Sequence, residues 1–546
     1  MIPVLAVASR PGPGLRTLFR SLSESGVFEL TVAGPEALAT LNGAKVVLGA
    51  TDRPLRDDQA EALGGFLRRG GGLVTLGGAA AAWAEHPELT SILGVPAHDL
   101  SPESELLVRP QPGHPVTDRL DPEIPIPDRL PLSDQVDGTP LLTVSWHYRD
   151  VVLAYEKGRF LNLGLGWTAA AQAHPALHQL VHRALRHAAG EAPSRAVRVG
   201  MIGFGAIGRE HGEAVSAVPG FELTAVCDRA QSRLDAARAE FDARGYLEPA
   251  DLLADPDVDL VVVGTPPATH ADVVLQALAA GKHVVCEKPF ALRVDEVDAM
   301  LEAASAGSRM ITVYQSRRWD PDFVAMRDAV RRGAVGDLFY YESFIGGYGH
   351  PCSYWHSHEP VSGGTIYDWG SHYFDWMLQV IPGQVASVSA VAHKRVWHDV
   401  TNSDQVRVDV SFQDGRQGMF MQSDVAAALK RKWYLLGTEG AITGDWRQES
   451  VKSRAWTGDL VEERLNPPEA PAVVTVHRPS ASGVSHEETL ALSARTPFGF
   501  YRNLADHMLL EEPLAVLPQE SRRVVGVMEA ATKSIAAGGR PIKLRI

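Results

Sequence analysis

The sequence predicts an α/β protein in three successive segments, and three observations carry that prediction. Strand and helix patterns alternate through roughly the first 190 residues, a rhythm that implies a parallel sheet with helices on both faces. An apolar, β-prone run, Val197 to Ile202, feeds straight into Gly203-Phe204-Gly205-Ala206-Ile207-Gly208, the G-x-G-x-x-G turn of a doubly wound Rossmann sheet. From Val385 onward strand patterns recur with hairpin signals such as Asp414-Gly415, which indicates an α+β segment with a mainly antiparallel sheet.

In the first segment, strands are expected at Val4–Ala8, Phe28–Val32, Lys45–Leu48 and Leu73–Leu76, with helices at Leu15–Ser25 and Arg56–Arg69. Gly70-Gly71-Gly72 stops the second helix, and a closing helix runs from Pro175 to Ala188. The stretch Leu55–Val74 is followed in order by Gly113-His114-Pro115-Val116-Thr117, Lys157-Gly158-Arg159-Phe160 and Leu163-Gly164-Leu165-Gly166-Trp167-Thr168. Together these resemble the ThuA-like (trehalose-utilisation) domain, a relative of class I glutamine amidotransferases, and the resemblance implies a flavodoxin-like fold.

Two departures bear on chemistry. Amidotransferases carry a nucleophilic Cys after the glycine-rich turn, whereas this chain reads Leu76-Gly77-Gly78-Ala79-Ala80-Ala81 and has no Cys before Cys227. Trp167 stands where ThuA-like chains commonly show His. His114 and Asp134 are the polar residues that can line a pocket, and the expected pocket is a degenerate one used for sugar binding or assembly.

In the glycine turn, Gly203 allows the tight bend, Gly205 lets backbone approach a pyrophosphate, and Gly208 permits close helix–strand packing. The helix from Ala206 to about Val218 points its first N–H groups at the phosphates. A second strand, Leu223–Cys227, ends in Asp228, about twenty residues past the last glycine, where such a fold places its ribose-binding acid. That acid accepts ribose hydroxyls and repels a 2′-phosphate, which favours NAD; the adjacent Arg229 can pair with the phosphate, so NADP stays open.

A helix at Ser232–Phe241, a strand at Leu260–Val263 and a helix at Ala271–Ala280 continue the pattern. The strand ends in Gly264-Thr265-Pro266-Pro267-Ala268-Thr269-His270, and the last helix leads into Gly281-Lys282-His283-Val284-Val285-Cys286-Glu287-Lys288-Pro289. With these motifs at this spacing, the chain from Val197 onward resembles the Gfo/Idh/MocA family of NAD(P)-dependent sugar oxidoreductases. The resemblance implies a cofactor site made by Gly203, Phe204, Gly205, Ala206, Ile207, Gly208, Asp228, Arg229, Thr265, Pro266, Pro267, His270, Glu287, Lys288 and Gln315. It also implies that Lys288 sits beside the hydroxyl being oxidised, where a compact cation stabilises a developing alkoxide.

Tyr314-Gln315-Ser316-Arg317-Arg318-Trp319-Asp320-Pro321 resembles the family segment that crosses into the catalytic domain. The expected division is therefore a ThuA-like domain at 1–190, a linker at 191–196, a dinucleotide-binding domain at 197–315 and a substrate and oligomerisation domain at 316–546. In Gly363-Gly364-Thr365-Ile366-Tyr367-Asp368-Trp369-Gly370-Ser371-His372, a helix puts Asp368 and His372 one turn apart on one face. The resemblance places both at catalytic positions, which assigns His372 as general base and Asp368 as the group that orients the substrate hydroxyl. Lys288, Arg318, Trp355, Asp368 and His372 are the expected substrate contacts, with Trp355 stacking on a pyranose face. Trp319 and Trp369 stand at neighbouring pocket positions, and Asn503 and His507, on a closing helix at Phe498–Leu509, can reach the pocket.

The loop Tyr348–His358 carries His350, Cys352, His356 and His358, which are zinc-type ligands. Their spacing fits no closed structural site, so no metal is expected. The formal charge of −14 argues against nucleic acid and anionic membrane surfaces as partners. Three scattered cysteines, Cys227, Cys286 and Cys352, make no disulfide framework, and no span approaches the roughly eighteen apolar residues of a membrane helix, so a cytoplasmic protein is expected.

The expected activity is hydride transfer between NAD(P) and a secondary hydroxyl or ketone of a sugar, polyol or glycoside, by a homo-oligomer. Two alternatives stand beside it: a tightly bound NAD that cycles internally during epimerisation or elimination, and a non-catalytic sugar- or nucleotide-sensing regulator.

Overall fold

The computed structural model describes residues 1–546 apart from 42, 95–98, 133–135, 192–194, 353, 455–459, 466–469, 481–484 and 494–495, and gives 449–454 and 460–465 as backbone alone. Asp134 and the expected linker positions 192–194 thus lie outside the described residues. Contacts divide the chain into two compact units. One contains residues 1–196, 218–220 and 502–514; the other contains 197–217, 221–501 and 515–546.

Among the described residues of the first unit, nine strands form one sheet. In spatial order they are Phe28–Ala33, Ile2–Val7, Val46–Gly49, Gly72–Thr75, Phe160–Asn162, Arg149–Lys157, Thr139–Trp146, Ser104–Pro110 and Ile124–Asp128. The first five run parallel, beginning with the second strand beside the first as in a doubly wound sheet. The remaining joins are antiparallel, which extends the expected parallel sheet into a mixed one.

Helix Pro13–Glu24 opens on a proline whose fixed φ suits helix entry, and it buries Leu15, Leu18, Phe19 and Leu22 at one-face spacing. Helix Asp57–Arg68 carries Asp57 and Asp58 in its first turn and Arg68 in its last, both favourable to the helix dipole. Gly70, at φ +90°, lies just past its end.

Residues 502–514 join this unit through buried charge. Arg183 meets Glu512 at 2.6 Å and Asp506 at 2.7 Å, while Arg119 meets Asp506 at 2.6 Å. Burial pushes the Asp506 carboxyl up to about 6 against the opposing pull of the two arginines.

The second unit holds two large sheets. Six parallel strands run in the order Arg244–Tyr246, Phe221–Cys227, Val197–Ile202, Leu260–Val263, His283–Cys286, Ile311–Val313. Strand order reverses beside Val197–Ile202, and in such sheets the ligand crevice opens at that switch point, here the glycine turn. Leu260–Val263 is wholly apolar and wholly buried because both faces of a central parallel strand are covered.

The other sheet has nine strands among the described residues, in the order Ser485–Thr489, Val473–Pro479, Gly440–Asp445, Trp433–Gly437, Leu338–Gly346, Gln417–Ser423, Gln405–Phe412, Val385–His393, Ile542–Lys543. Its pairings are antiparallel apart from Leu338–Gly346 with Gln417–Ser423. Val406, Val408, Val410 and Phe412 alternate inward on one strand, and helix Pro518–Ala536 packs on both Val385–His393 and helix Gly370–Val380. The class is α/β, with a Rossmann-type parallel sheet and a separate, mostly antiparallel one. No helix among the described residues is long and apolar enough to cross a membrane.

Candidate active site

The three glycines of the turn occupy three different environments. Gly203 sits at φ +93°, and a Cβ there would lie 2.6 Å from the Gly264 carbonyl oxygen. A Cβ at Gly208 would lie 2.6 Å from the Gly203 oxygen, so the opening turn of helix Ala206–Ala217 rests directly on the loop. Gly205 has open space around its Cβ direction, which is what close approach by a phosphate requires.

Asp228 clamps this loop. Its Oδ2 accepts from Phe204 N at 2.8 Å and from Arg233 at 3.1 Å, and its Oδ1 accepts from Ala230 N at 2.9 Å. Burial alone would raise its pKa, but these donors hold it below the ordinary value, so it stays anionic with acceptor capacity left on Oδ1. Arg229 beside it is exposed.

Thr265, Pro266 and Pro267 form the turn at the sheet's carboxyl edge. His270, expected at the cofactor, is instead fully buried, with ring nitrogens 2.7 Å from Thr265 O and 2.8 Å from Pro289 O. It ties two loops together and has no face left for a ligand.

A cavity of about 810 Å³ brings Ile207, Glu287, Lys288, Asp368 and His372 together, with Arg317, Trp319 and Trp369 in its wall. Lys288 Nζ lies 3.6 Å from Asp368 Oδ1 and 3.5 Å from the Asp368 carbonyl oxygen. Beneath the lysine runs a buried chain of hydrogen bonds. Tyr501 OH is 2.7 Å from His211 Nδ1, His211 Nε2 is 3.0 Å from Glu287 Oε1, and Lys288 N donates to Glu287 Oε2 at 2.7 Å. Burial keeps the Tyr501 phenol protonated, so it donates to His211, whose other nitrogen donates to Glu287.

Asp368 and His372 do not share one regular helix. Asp368 ends Thr365–Asp368, and His372 lies in Gly370–Val380, with Trp369 between them at φ −77°, ψ −29°. That near-helical link preserves the one-turn spacing. His372 is buried, its Nδ1 3.1 Å from Gln315 Oε1. Burial first, then the cations Lys288 and Arg317, hold its pKa well below the ordinary imidazole value, so the ring is neutral at physiological pH. Gln315, expected at the cofactor, is likewise buried, with its amide nitrogen donating to Ser371 O at 3.1 Å.

The expectation for Arg318 is corrected by its surroundings. Its guanidinium is buried, pairs with both oxygens of Asp375 at 2.7 and 2.5 Å, and donates to Glu520 at 2.7 Å and Ala515 O at 2.8 Å. Its neighbour Arg317 is the arginine in the cavity wall, 4.7 Å over the Trp369 ring. Trp355 is absent from the cavity lining and stacks on His356 at 3.6 Å.

The remaining ligand-type residues of that loop go separate ways: His350 meets Asp399 at 2.8 Å, and Cys352 meets Ser357 at 3.4 Å. Asn503 donates to Pro513 O at 3.0 Å and His507 Nδ1 lies 2.8 Å from Glu512 O, both within the first unit.

Sequence reasoning missed Glu210, Glu213, Arg317, Asp320 and the 496–500 segment, all in the cavity wall. The spacing of Ile207, Glu210 and Glu213 on one helix was a usable signal, since residues three apart share a face.

In the first unit, His114 Nε2 and His187 Nε2 lie 2.9 and 2.7 Å from the two Glu156 oxygens, and among the described residues this is the one trio with metal-ligand proximity. Val116 N donates to His114 Nδ1 at 3.2 Å, which leaves the ring proton on Nε2, facing Glu156. A metal at Nε2 needs that proton on Nδ1, against Val116 N–H, so the trio reads as a hydrogen-bonded set.

Residues 197–315 match the family model described as oxidoreductase family, NAD-binding Rossmann fold, and residues 323–443 match the GFO/IDH/MocA C-terminal domain. Inositol 2-dehydrogenase of Rhizobium meliloti (strain 1021) is 30% identical over 267 residues, 48% of this chain and 79% of that protein. An uncharacterized oxidoreductase of Schizosaccharomyces pombe is 31% identical over 230 residues, 41% of this chain; the chain spans 62% of that relative's length. The crystal structure of an NAD-binding protein from Listeria innocua shares the fold, with TM-score 0.54 and 24% identity over 64% of this chain and 97% of that one. A glycine turn shaped for a dinucleotide, matched together with the sheet domain that follows it, places the chain in the Gfo/Idh/MocA family of NAD-binding oxidoreductases.

Proposed function

We propose that the chain oxidises a secondary hydroxyl of a sugar, polyol or glycoside to the ketone, or runs the reverse reaction, with NAD as hydride partner. The observation that carries this reading is the meeting of Lys288, Asp368 and His372 in one cavity that reaches Ile207 at the glycine turn. The inositol dehydrogenase relative supports a polyhydroxylated ring as the substrate class.

The residues present fit the cofactor. Gly205 leaves room for the pyrophosphate, the first turn of helix Ala206–Ala217 offers it N–H groups, and Asp228 Oδ1 retains a site for a ribose hydroxyl. When bound, the nicotinamide supplies a hydride acceptor.

Everything else falls to the chain. His372 Nε2, the nitrogen not engaged by Gln315, takes the hydroxyl proton. The Lys288 ammonium stabilises the oxygen as negative charge develops, and Asp368 accepts a hydrogen bond that orients the substrate.

We keep the division 1–190, 197–315 and 316–546 as the reading of the sequence, with residues 502–514 of the last segment packed into the first unit, and infer homo-oligomeric assembly through the second unit. The first segment is read as a degenerate ThuA-like domain. Its parallel strand order supports this, as do the missing Cys and His114 being taken up by Glu156.

The test is reduced-nicotinamide absorbance with NAD and a panel of inositols, sugars and disaccharides. Turnover lost in Lys288→Ala supports the reading. Nicotinamide released on denaturation without turnover points to internal redox cycling, and failure to bind NAD at all removes the enzymatic reading.

A further inference from the structure

A histidine serves as base only through the nitrogen that lacks a proton, and neutral imidazole offers two tautomers. In water they interconvert freely; in a protein the choice is set by whatever faces the other nitrogen. For His372 that partner is Gln315, whose Oε1 lies 3.1 Å from Nδ1.

An amide is ambiguous as a partner because it can flip and present NH₂ in place of oxygen. Here Ser371 removes the ambiguity. Gln315 Nε2 donates to the Ser371 carbonyl at 3.1 Å, and a flipped amide would press its own oxygen against that carbonyl. Gln315 is 3% exposed, so water offers no substitute partner, and its backbone is fixed by Gln315 N donating to Val313 O at 2.7 Å.

We propose that Gln315 is a positioning residue that locks His372 as the Nδ1–H tautomer, leaving the Nε2 lone pair as the base in the cavity. The reason to use a neutral amide is visible in the surroundings. Lys288 from the loop after strand His283–Cys286 and Arg317 from the turn Ser316–Trp319 act on the ring, and Asp368 stands one turn before it. A carboxylate in place of Gln315 would hold the transferred proton on the ring; an amide orients the ring without trapping that proton. The inference rests on the reading of His372 as general base.

The test uses full-length protein with Gln315→Met and Gln315→Glu, and has two readouts. The first needs no substrate: histidine-selective nitrogen labelling, with the His372 signal assigned by its loss in His372→Gln, reports which ring nitrogen is protonated. The wild type is expected to show Nδ1–H alone and Gln315→Met a mixture.

The second is the pH profile of turnover. Gln315→Met is expected to lose about tenfold to a hundredfold in kcat with NAD affinity unchanged, well inside the roughly ten-thousandfold that the wrong tautomer costs in a serine protease triad. Gln315→Glu keeps the acceptor, so it is expected to recover most of kcat at high pH and to move the acidic limb upward by about one pH unit.

A wild-type Nε2–H signal, or Gln315→Glu with an unmoved limb, overturns the proposal. If Gln315→Met fails to fold, Gln315→Glu still decides. The predicted tautomer with full activity in His372→Gln would sink the base assignment instead.

Discussion

Lys288 Nζ stands 3.6 Å from Asp368 Oδ1, with the two side chains 26% and 37% exposed. A pair this open to solvent contributes at most about 1 kcal/mol to folding. Its placement in the cavity therefore calls for an explanation other than stability, and we read it as a charged pair kept for substrate. Lys288→Ala is expected to melt within a few degrees of wild type while kcat falls by roughly a hundredfold to a thousandfold, the scale on which single electrostatic stabilisers act. Thermal melting beside steady-state kinetics checks both halves.

The adjacent arginines are expected to differ in what they hold. Arg318→Ala leaves Asp375 buried without its partner, at a cost of about 3–5 kcal/mol. Arg317→Ala, which takes from the half-buried Asp320 its 3.2 Å partner, is expected to cost less stability than Arg318→Ala and, being in the cavity wall, to raise KM. Urea denaturation of the two variants, read beside KM, separates them.

The glycine turn makes a similar contrast. At Gly205 an added methyl has room, so Gly205→Ala is expected to fold normally and bind NAD more weakly. At Gly208 the same methyl meets the Gly203 carbonyl at 2.6 Å, so Gly208→Ala is expected to lose stability as well. Melting temperature and NAD titration by fluorescence together tell the two apart.

Asp424 gives a pH-dependent prediction. Burial first, then the nearby Asp368 and Asp404 carboxylates, push its pKa up to about 6. The folded chain thus binds this proton more tightly than the unfolded one, and stability falls as pH rises from about 4 to about 6. Asp424→Asn removes that penalty. It is expected to be more stable than wild type at pH 7, by up to about 3 kcal/mol, and equal to it near pH 3. Denaturation at both pH values checks the sign.

His372 works in the other direction. Its depressed pKa keeps the ring neutral, and protonating it opposes the fold as pH drops below about 6.5. The acidic limb of kcat/KM is accordingly expected below that value, and a pH-rate profile locates it.

Much of this was legible in the chain, for identifiable reasons. Gly203 and Gly208 announce their environments because a Cβ at either would lie 2.6 Å from a backbone oxygen, while the open space at Gly205 suits close approach by a phosphate. The Rossmann strands are readable because central parallel strands, such as Leu260–Val263, are apolar throughout. Lys288, Asp368 and His372 came through motif resemblance, and their convergence in one cavity is a fact of the fold.

What sequence could not give was the direction of side chains in irregular backbone. Arg317 and Arg318 are the same residue type one position apart in a short turn, where no periodicity says which faces the cavity. His270 carries the composition of a ligand, yet its nitrogens are taken by carbonyls brought in from two loops. The antiparallel half of the first sheet was missed because Ser104–Pro110 and Arg149–Lys157 mix charged and apolar residues without a clean alternation. Residues 502–514 join the first unit through ion pairs between positions more than three hundred apart, which no local pattern encodes.

The central claim is that a carbon-bound hydrogen of a polyhydroxylated substrate ends on the nicotinamide. Carbon-deuterated myo-inositol and carbon-deuterated glucose, incubated with NAD and the full-length protein, test it by mass spectrometry of the recovered cofactor. The account predicts a reduced nicotinamide heavier by a single deuterium from at least one of the two, and its loss in Lys288→Ala. Bound cofactor that stays oxidised and unlabelled, with the substrate unchanged, would contradict it.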